Sequence, residues 1–307
     1  DQSLEPHSGV AALMTQNGYH IREFEQARPM LIGLAYRLLG SRAEAEDVVQ
    51  DTFLAWSGAD RDVIEQPRAW LTSVCTRRSL DVLKSARRSR TDYVGYWLPE
   101  PVATGESVTP ETDLMVSETV TMAFLLVLER LTPKERAAFV LHDVFAMEYA
   151  EIAGQLATSE AACRKLVSRA RVNVRQAGNT KPAPRDLQQC LIDAFQTALR
   201  TGAADDLAGL LARDAVLTAD SGGKAVSILG PVKGAERILT FVSKALPKFW
   251  SGYSITVAEI NAQLALIVRD GPAAHAVVTF RVNADQWISE IMVMRNPDKL
   301  RGFDLAD

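Results

Sequence analysis

The sequence predicts a multidomain chain, with two all-α segments followed by an α+β segment, and three observations carry that expectation. Residues 20–92 and 119–177 keep helical periodicity and hold clear helix-start signatures. Residues 186–307 open with one helical stretch and then turn to short β-type runs. Proline-bearing stretches at 93–118 and 178–185 separate the three. A length of 307 residues suits two or three domains, and a hydrophobic share of 47% suits folded cores.

Several classes are set aside by what the chain lacks. No apolar run approaches the roughly 18 residues a membrane span needs, and no secretory signal opens the sequence, so no membrane partner is expected. The stretch before Met14 is read as a tag remnant or native sequence and kept out of the fold reasoning. Cys75, Cys163 and Cys190 show no CxxC or paired spacing, are expected as buried small hydrophobes, and fit a reducing cytoplasm. Four scattered histidines give no metal-ligand spacing, and no cofactor motif is present.

The first helical segment contains "SRAEAEDVVQDTFLAW". Ser41 and Glu44 have capping-box spacing. On the helix that follows, Ala45, Val48, Val49, Thr52, Phe53 and Trp56 share an inward face. The outer face carries Glu44, Glu46, Asp47, Gln50 and Asp51 with Leu54 in their midst. Residues 41–60 hold one arginine against five acids, and an acidic rim around an exposed leucine suits a basic protein partner. The competing reading is that the same chain covers this face elsewhere.

After the loop "SGADRDVIEQP" the sign of the charge reverses. From Arg68 to Arg90 seven basic residues face one acid, Asp81, for a net of +6, with Trp70 near the start. Basic side chains interleaved with an aromatic suit single-stranded or melted DNA, where cations track the backbone and bases stack or enter pockets. Trp70 serves a hydrophobic core equally well on this evidence.

In the second segment, "LTPKERAAFVLHDVFAM" supplies Thr132 as N-cap, Pro133 at the first helical position and Glu135 three residues on. "EYAEIAGQLA" is a short amphipathic helix with Ile152, Ala153 and Leu156 inward. It breaks at "TS" before "SEAACRKLVSRARVNVR", in which Ser159 caps and Glu160 suits the helix dipole. At about 100° per residue, Ala162, Cys163, Leu166, Val167, Ala170 and Val174 share one arc, while Arg164, Ser168, Arg171 and Arg175 fall opposite, flanked by Lys165 and Arg169. Short helix, tight break and longer basic helix is the pattern of a helix-turn-helix whose second helix enters the major groove. Residues 160–177 carry a net of +4, although the whole chain is at −4. A merely solvated basic face is the alternative.

In the third segment one helix is followed by "AVLTAD", "AVSILG", "SITVAEI", "ALIVRD", "HAVVTFRVN" and "WISEIMVM" as β-type runs. Val278, Phe280 and Val282 alternate with Thr279 and Arg281, the period of a half-buried strand. "SGGK" lacks the spacing of a phosphate loop and reads as a turn between strands.

Taken together, "AEDVVQDTFLAW", "PRAWLTSVCTRRSLDVL" and "LTPKERAAFVLHDVFAMEYAEIAGQLATSEAACRKLVSRAR" resemble regions 2 and 4 of extracytoplasmic-function (ECF) RNA polymerase sigma factors, in family order over roughly residues 20–177. "YVGYWLPEP", "ADSGGKAV" and the terminal "NPDKL" resemble the sigma-J-type subgroup, which carries a C-terminal SnoaL/NTF2-like domain. Where the subgroup has a DGGGK-like motif, this chain reads Asp220-Ser221-Gly222-Gly223-Lys224, with one glycine replaced. The resemblance implies a region 2 helical bundle at 20–92, a linker with WLPEP at 93–118, a region 4 helix-turn-helix at 119–177, and a cone-shaped α+β domain at 186–307.

The same resemblance implies roles. Glu46, Asp47, Gln50, Asp51 and Leu54 would meet the clamp helices of the polymerase β′ subunit, and region 4 would meet the β flap. Asp60, Arg61, Ile64, Trp70, Ser73, Arg77 and Arg78 would open and hold the −10 element, with Lys84, Arg87 and Arg88 on nearby phosphates. Ser159, Glu160, Arg164, Lys165, Ser168, Arg169 and Arg171 would engage the −35 element. Trp97, Leu98 and Pro99 would meet Asp220, Gly222, Gly223 and Lys224 in a regulatory contact, and the third domain's pocket would take an unknown small ligand. Such a protein binds and melts promoters while the polymerase does the chemistry; no catalytic residue, cofactor or metal is expected.

Two other classes are compatible with parts of the chain. A conventional two-domain transcription factor would bind duplex DNA tightly without polymerase. An enzyme of NTF2 type would need a buried carboxylate or histidine, for which Asp220, Asp270 and His275 are candidates.

Overall fold

The computed structural model describes residues 8–60, 63–91, 93–104, 120–178, 180–228 and 230–305, with side chains from Ile21 onward and without those of 86–91. Three helices form the first module: α1 (Ser8–Leu39), α2 (Arg42–Gly58) and α3 (Pro67–Thr91). Gly40, at φ +68°, lets the chain leave α1 in the left-handed conformation that side chains disfavour. Ser41 then starts α2, its hydroxyl accepting the Glu44 N–H at 3.3 Å. The apolar faces meet in a core that includes Leu31, Leu34, Leu38, Val48, Trp56, Leu71 and Cys75. Helix α1 begins at Ser8, inside the stretch before Met14 that the sequence reading set aside.

The second module holds α4 (Met122–Leu128), α5 (Pro133–Phe139), α6 (Tyr149–Gln155) and α7 (Glu160–Gln176). The capping box at the start of α5 is formed as expected, with Thr132 and Glu135 serving each other's backbone and Pro133 at the first turn. One wide turn, Val140–Val144, extends that helix. Helix α6 stops before Ala157, at φ +48°, and Ser159 caps α7 by accepting the Ala162 N–H at 3.2 Å. Ile152, Ala153, Leu156, Cys163, Val167 and Ala170 are all buried, as their spacing requires.

These two modules do not have separate cores. One continuous apolar cluster runs from Phe24 in α1 to Ala170 in α7. At its seam Arg136, 3% exposed, donates from its guanidinium to the Leu38 carbonyl and to Glu129, each at 2.6 Å. A guanidinium there is stable only because both partners are in place.

The third module starts with α8 (Arg185–Thr201) and the short α9 (Asp205–Ala208). Its strands are β1 (Leu211–Asp220), β2 (Val232–Lys233), β3 (Ser254–Ile260), β4 (Gln263–Asp270), β5 (Ala273–Val282) and β6 (Ile288–Met294). They lie in the order β2-β1-β6-β5-β4-β3, antiparallel except for the parallel β1–β6 pair. Between β2 and β3 run α10 (Ala235–Thr240), a wide turn Phe241–Ala245, and α11 (Leu246–Phe249). Phe195, Ile238, Val242 and Trp250 pack on one face of the sheet. The other face, through Ile267, Val277, Met292 and Met294, packs on Leu98 and Met122.

Four expectations need correction. Residues 225–228 of "AVSILG" form no strand; Val226, Ser227 and Ile228 line a cavity, and the strand on that edge is Val232–Lys233. The helical stretch 235–249 was hidden by its β-branched residues and Pro247. Strand β5 is covered on both faces, with Thr279 only 2% exposed, because the helical modules occupy the side that alternation assigned to solvent. Cys190 is exposed on α8, while Cys75 and Cys163 are buried as expected, burial pushing the Cys75 thiol up to about 12.

Replacing Arg136 with methionine is expected to lower unfolding stability by about 3 kcal/mol, since Glu129 and the Leu38 carbonyl lose their buried donor. Urea denaturation followed by circular dichroism checks this; an unchanged midpoint would show that the seam does not depend on Arg136.

Candidate protein and nucleic-acid interfaces

The outer face of α2 is built as the sequence spacing requires. Glu46, Asp47, Gln50 and Asp51 are exposed, and Leu54 stands 61% exposed among them. Arg42 pairs with Glu46 at 2.8 Å along the helix. Asp51 reaches across to Arg78 of α3 at 3.1 Å, so two residues assigned to different surfaces are joined. Asp47 has no such partner among the described residues.

On α3 and the loop before it, Ile64 and Trp70 are half-buried against the first core. The Trp70 and Trp56 rings lie 5.5 Å apart and tilted, so Trp70 rests on a rigid neighbour and keeps part of its surface open. Ser73 and Arg78 are half-buried; Asp60, Arg77 and Lys84 are exposed, Lys84 meeting Asp81 at 2.9 Å. Arg61 lies outside the described residues, as do the side chains of Arg87 and Arg88.

Helix α7 presents its cations unequally. Arg171 forms a bidentate pair with Asp143, at 2.7 and 2.8 Å, and this hydrogen bonding raises its already high proton affinity. Arg164 lies over the Tyr149 ring at 4.4 Å and pairs with Glu160 one turn back. Lys165 and Arg169 are exposed and form no ion pair among the described residues. Ser168 and Glu160 share their exposed side, with Ser159 at the helix start.

A third constellation joins the modules. Asp220, at the end of β1, is fully buried, yet its carboxylate is saturated. One oxygen accepts the Tyr93 hydroxyl at 2.5 Å and the Gly222 N–H at 3.0 Å. The other accepts the Leu98 N–H at 2.9 Å and the Lys299 ammonium at 2.8 Å. Lys299 also donates to the Leu98 carbonyl at 2.6 Å and sits 4.3 Å from the centre of the Trp97 ring. Burial and the adjacent carboxylate push the Tyr93 hydroxyl well above its usual range.

The neighbouring residues tighten this latch. Gly222 and Gly223 have φ of +57° and +70°, and a Cβ on Gly222 would strike the Asn296 side chain at 2.5 Å. Ser221 is not among the positive-φ residues, which explains why a serine is tolerated there. Lys224 pairs with Asp298. Leu98 and Pro99 are buried. Glu100 accepts from the Ser41 hydroxyl and the Arg42 N–H, each at 2.9 Å, placing a carboxylate at the N-terminus of α2. Further along, Asn261 accepts the Val102 N–H at 3.0 Å and donates to the Tyr36 hydroxyl at 2.8 Å and the Val120 carbonyl at 2.7 Å.

Tyr93, Glu100, Asn261 and Lys299 are therefore contact residues that sequence reasoning did not single out; "NPDKL" was the one available signal for Lys299. Of the three residues considered for acid–base chemistry, Asp220 is committed to the latch. Asp270 is exposed, and His275 lies against Tyr253 with ring centres 4.8 Å apart. None lines the cavity of the third module.

Comparison with known proteins agrees with this architecture. The Sigma-70 region 2 family model matches residues 24–89 and the Sigma-70 region 4 model matches 121–174. The ECF RNA polymerase sigma factor SigJ of Mycobacterium tuberculosis is 37% identical over 94% of this chain and 95% of its own length. The probable ECF RNA polymerase sigma factor SigI of the same species is 33% identical, covering 71% of this chain and 83% of that one. The crystal structure of the SigJ sigma factor superposes with a TM-score of 0.74, covering 93% of this chain and all of the other, at 36% identity.

Replacing Lys299 with methionine leaves the Asp220 charge buried without its cation, which is expected to cost about 3 kcal/mol. Amide hydrogen exchange at Leu98 reads the consequence directly: strongly accelerated exchange is expected, and exchange as slow as in the parent chain would mean that the latch does not need the ion pair.

Proposed function

The chain belongs to the ECF RNA polymerase sigma factor family, and on that premise we propose how its surfaces divide the work. Sigma factors bind core polymerase and direct it to promoters, and this chain serves transcription initiation in that way rather than as an enzyme. The finer assignments rest on one observation above all, the segregation of charge. An acidic face around the exposed Leu54 stands on α2, and bare cations stand on the second helix of the helix-turn-helix.

In this reading Glu46, Asp47, Gln50, Asp51 and Leu54 dock on the β′ clamp helices, with acids steering and the leucine anchoring. Region 4 meets the β flap. Lys165 and Arg169 make the leading −35 contacts, since a free lysine or arginine reads guanine well while Arg171 is already engaged by Asp143. Arg164, Ser168, Ser159 and Glu160 border them. The 60–66 loop with Asp60, Arg61 and Ile64 receives an unpaired −10 base. Trp70, Ser73, Arg77 and Arg78 support the melted strand, while Lys84, Arg87 and Arg88 meet phosphates. The protein acts in the cytoplasm.

The third domain regulates this activity, with the Asp220 latch as its contact and its pocket as the place for a small ligand. The −10 and −35 elements are roughly 25 base pairs, or about 85 Å, apart on B-form DNA. Regions 2 and 4 share one core here, so they cannot reach both elements until region 4 leaves it. The third domain holds the closed form from both sides, through Asp220 on the linker and through Arg281, which donates to the Ala177 carbonyl after α7.

Three measurements test these assignments. Lys165→Ala or Arg169→Ala is expected to weaken promoter binding of the holoenzyme by about 1–3 kcal/mol with polymerase affinity unchanged; a loss of polymerase binding instead would overturn the −35 assignment. Asp47→Lys should abolish capture of core polymerase in a pull-down, and retention at parental levels would remove α2 as the docking face. Asp220→Asn loosens the latch and should raise run-off transcription several-fold at limiting protein; equal output from variant and parent would end the regulatory reading.

A further inference from the structure

Helix α7 stands against a small aromatic platform that the helix-turn-helix pattern alone does not require. Tyr149, the first residue of α6, is half-buried and packs against the helical core. The His142 ring stacks on it, with centres 4.0 Å apart and planes 30° from parallel. His142 is itself held, since its Nδ1 lies 2.8 Å from the Met147 carbonyl and must donate there. Met147 in turn donates its N–H to the Leu141 carbonyl at 3.0 Å, which closes the turn that carries His142 and Tyr149.

Two arginines of α7 meet this platform. The Arg164 guanidinium carbon lies 4.4 Å from the centre of the Tyr149 ring. Arg171, about two turns further along, is gripped by Asp143 and is also reached by the Tyr149 hydroxyl. The two differ in what they keep for a partner. Asp143 takes Nε and Nη2 of Arg171, the edge that would otherwise receive a pair of acceptors. Stacking engages the flat face of the Arg164 guanidinium and spares its N–H edge. Of that edge Glu160 engages Nη2 alone among the described residues, and the Arg164 side chain stays 59% exposed.

A long exposed side chain gives up rotamer freedom when it binds, and that loss weakens binding. A guanidinium already resting on a ring has given up part of it beforehand. Arg164 is also the fifth residue of α7, in the N-terminal half where recognition helices meet base edges.

Resting on the −35 reading above, we propose that Tyr149 is a positioning residue for promoter specificity. Its ring, steadied by His142, holds Arg164 in the orientation in which a guanidinium reads a guanine edge. Tyr149 needs no contact with DNA for this. Lys165 and Arg169 lead in reach, and Arg164 adds a contact whose geometry is set before DNA arrives.

The test is a double-mutant cycle on the holoenzyme, read as relative binding to promoters that differ at single −35 base pairs. Arg164→Ala is expected to lose discrimination at one base pair, where guanine is preferred. Tyr149→Leu should lose about two- to fivefold at that same base pair, and nothing further there once Arg164 is alanine. Tyr149→Phe keeps the ring and should keep the discrimination. A loss spread evenly over every promoter, a loss that persists in the Arg164→Ala background, or no loss at all would overturn the positioning role. So would an Arg164→Ala variant that weakens all sequences equally, because the arginine would then hold phosphate. If Tyr149→Leu does not fold, Tyr149→Met is judged by the same cycle. The −35 reading stands or falls separately. Lys165→Ala and Arg169→Ala that leave every promoter bound as before would overturn it, whereas an effect there with none from Tyr149→Leu overturns the platform alone.

Discussion

A carboxylate with no exposed surface is the constraint on which this molecule turns. Burying an isolated charge costs far more than a domain's net stability, so a carboxylate with no exposed surface needs donors assembled around it. The donors come from three places: Tyr93 and Leu98 in the linker, Gly222 in its own loop, and Lys299 near the end of the described chain. That requirement fixes the linker against the third domain, and with it Leu98 over the sheet and Glu100 at the start of α2. Such a site loses stability steeply when one partner departs.

The shared core of the two helical modules is the second constraint. Separate domains joined by a flexible linker would sample many spacings, whereas here one apolar cluster and Arg136 hold a single arrangement. The second module rests on the first through α4, α5, the Val140–Val144 turn and α6, and Arg281 donates to the Ala177 carbonyl after α7.

How much of this was legible in the sequence follows from the range of the interactions. The capping box at Thr132, the cap at Ser159 and the two faces of α2 and α7 depend on residues within one or two turns, and all are found in the structure. The Asp220 partners Tyr93 and Leu98 are 127 and 122 positions away, beyond any periodicity. Residues 226–228 line an apolar cavity, and cavity walls and strands draw on the same residue types. Strand β5 was misjudged for a related reason: alternation reports burial within one domain and is blind to a second domain packed on the outer face. Arg171 and Arg164 show the same limit in charge, since helical spacing placed them outward while Asp143 and Tyr149 engage them.

The ends of β1 and β6 carry the last step. They are parallel neighbours in register from Val216 with Glu290 to Asp220 with Met294, so a shift at one is a shift at the other. One face of this pair looks into the cavity and the other onto the linker and helical modules. Arg295 is bonded both to the Val226 carbonyl, at the end of the 221–226 loop, and through its own N–H to the Asp220 carbonyl. The same Asp220 presents its carboxylate to Tyr93 and Leu98. Cavity and latch are thus opposite faces of the same two strands.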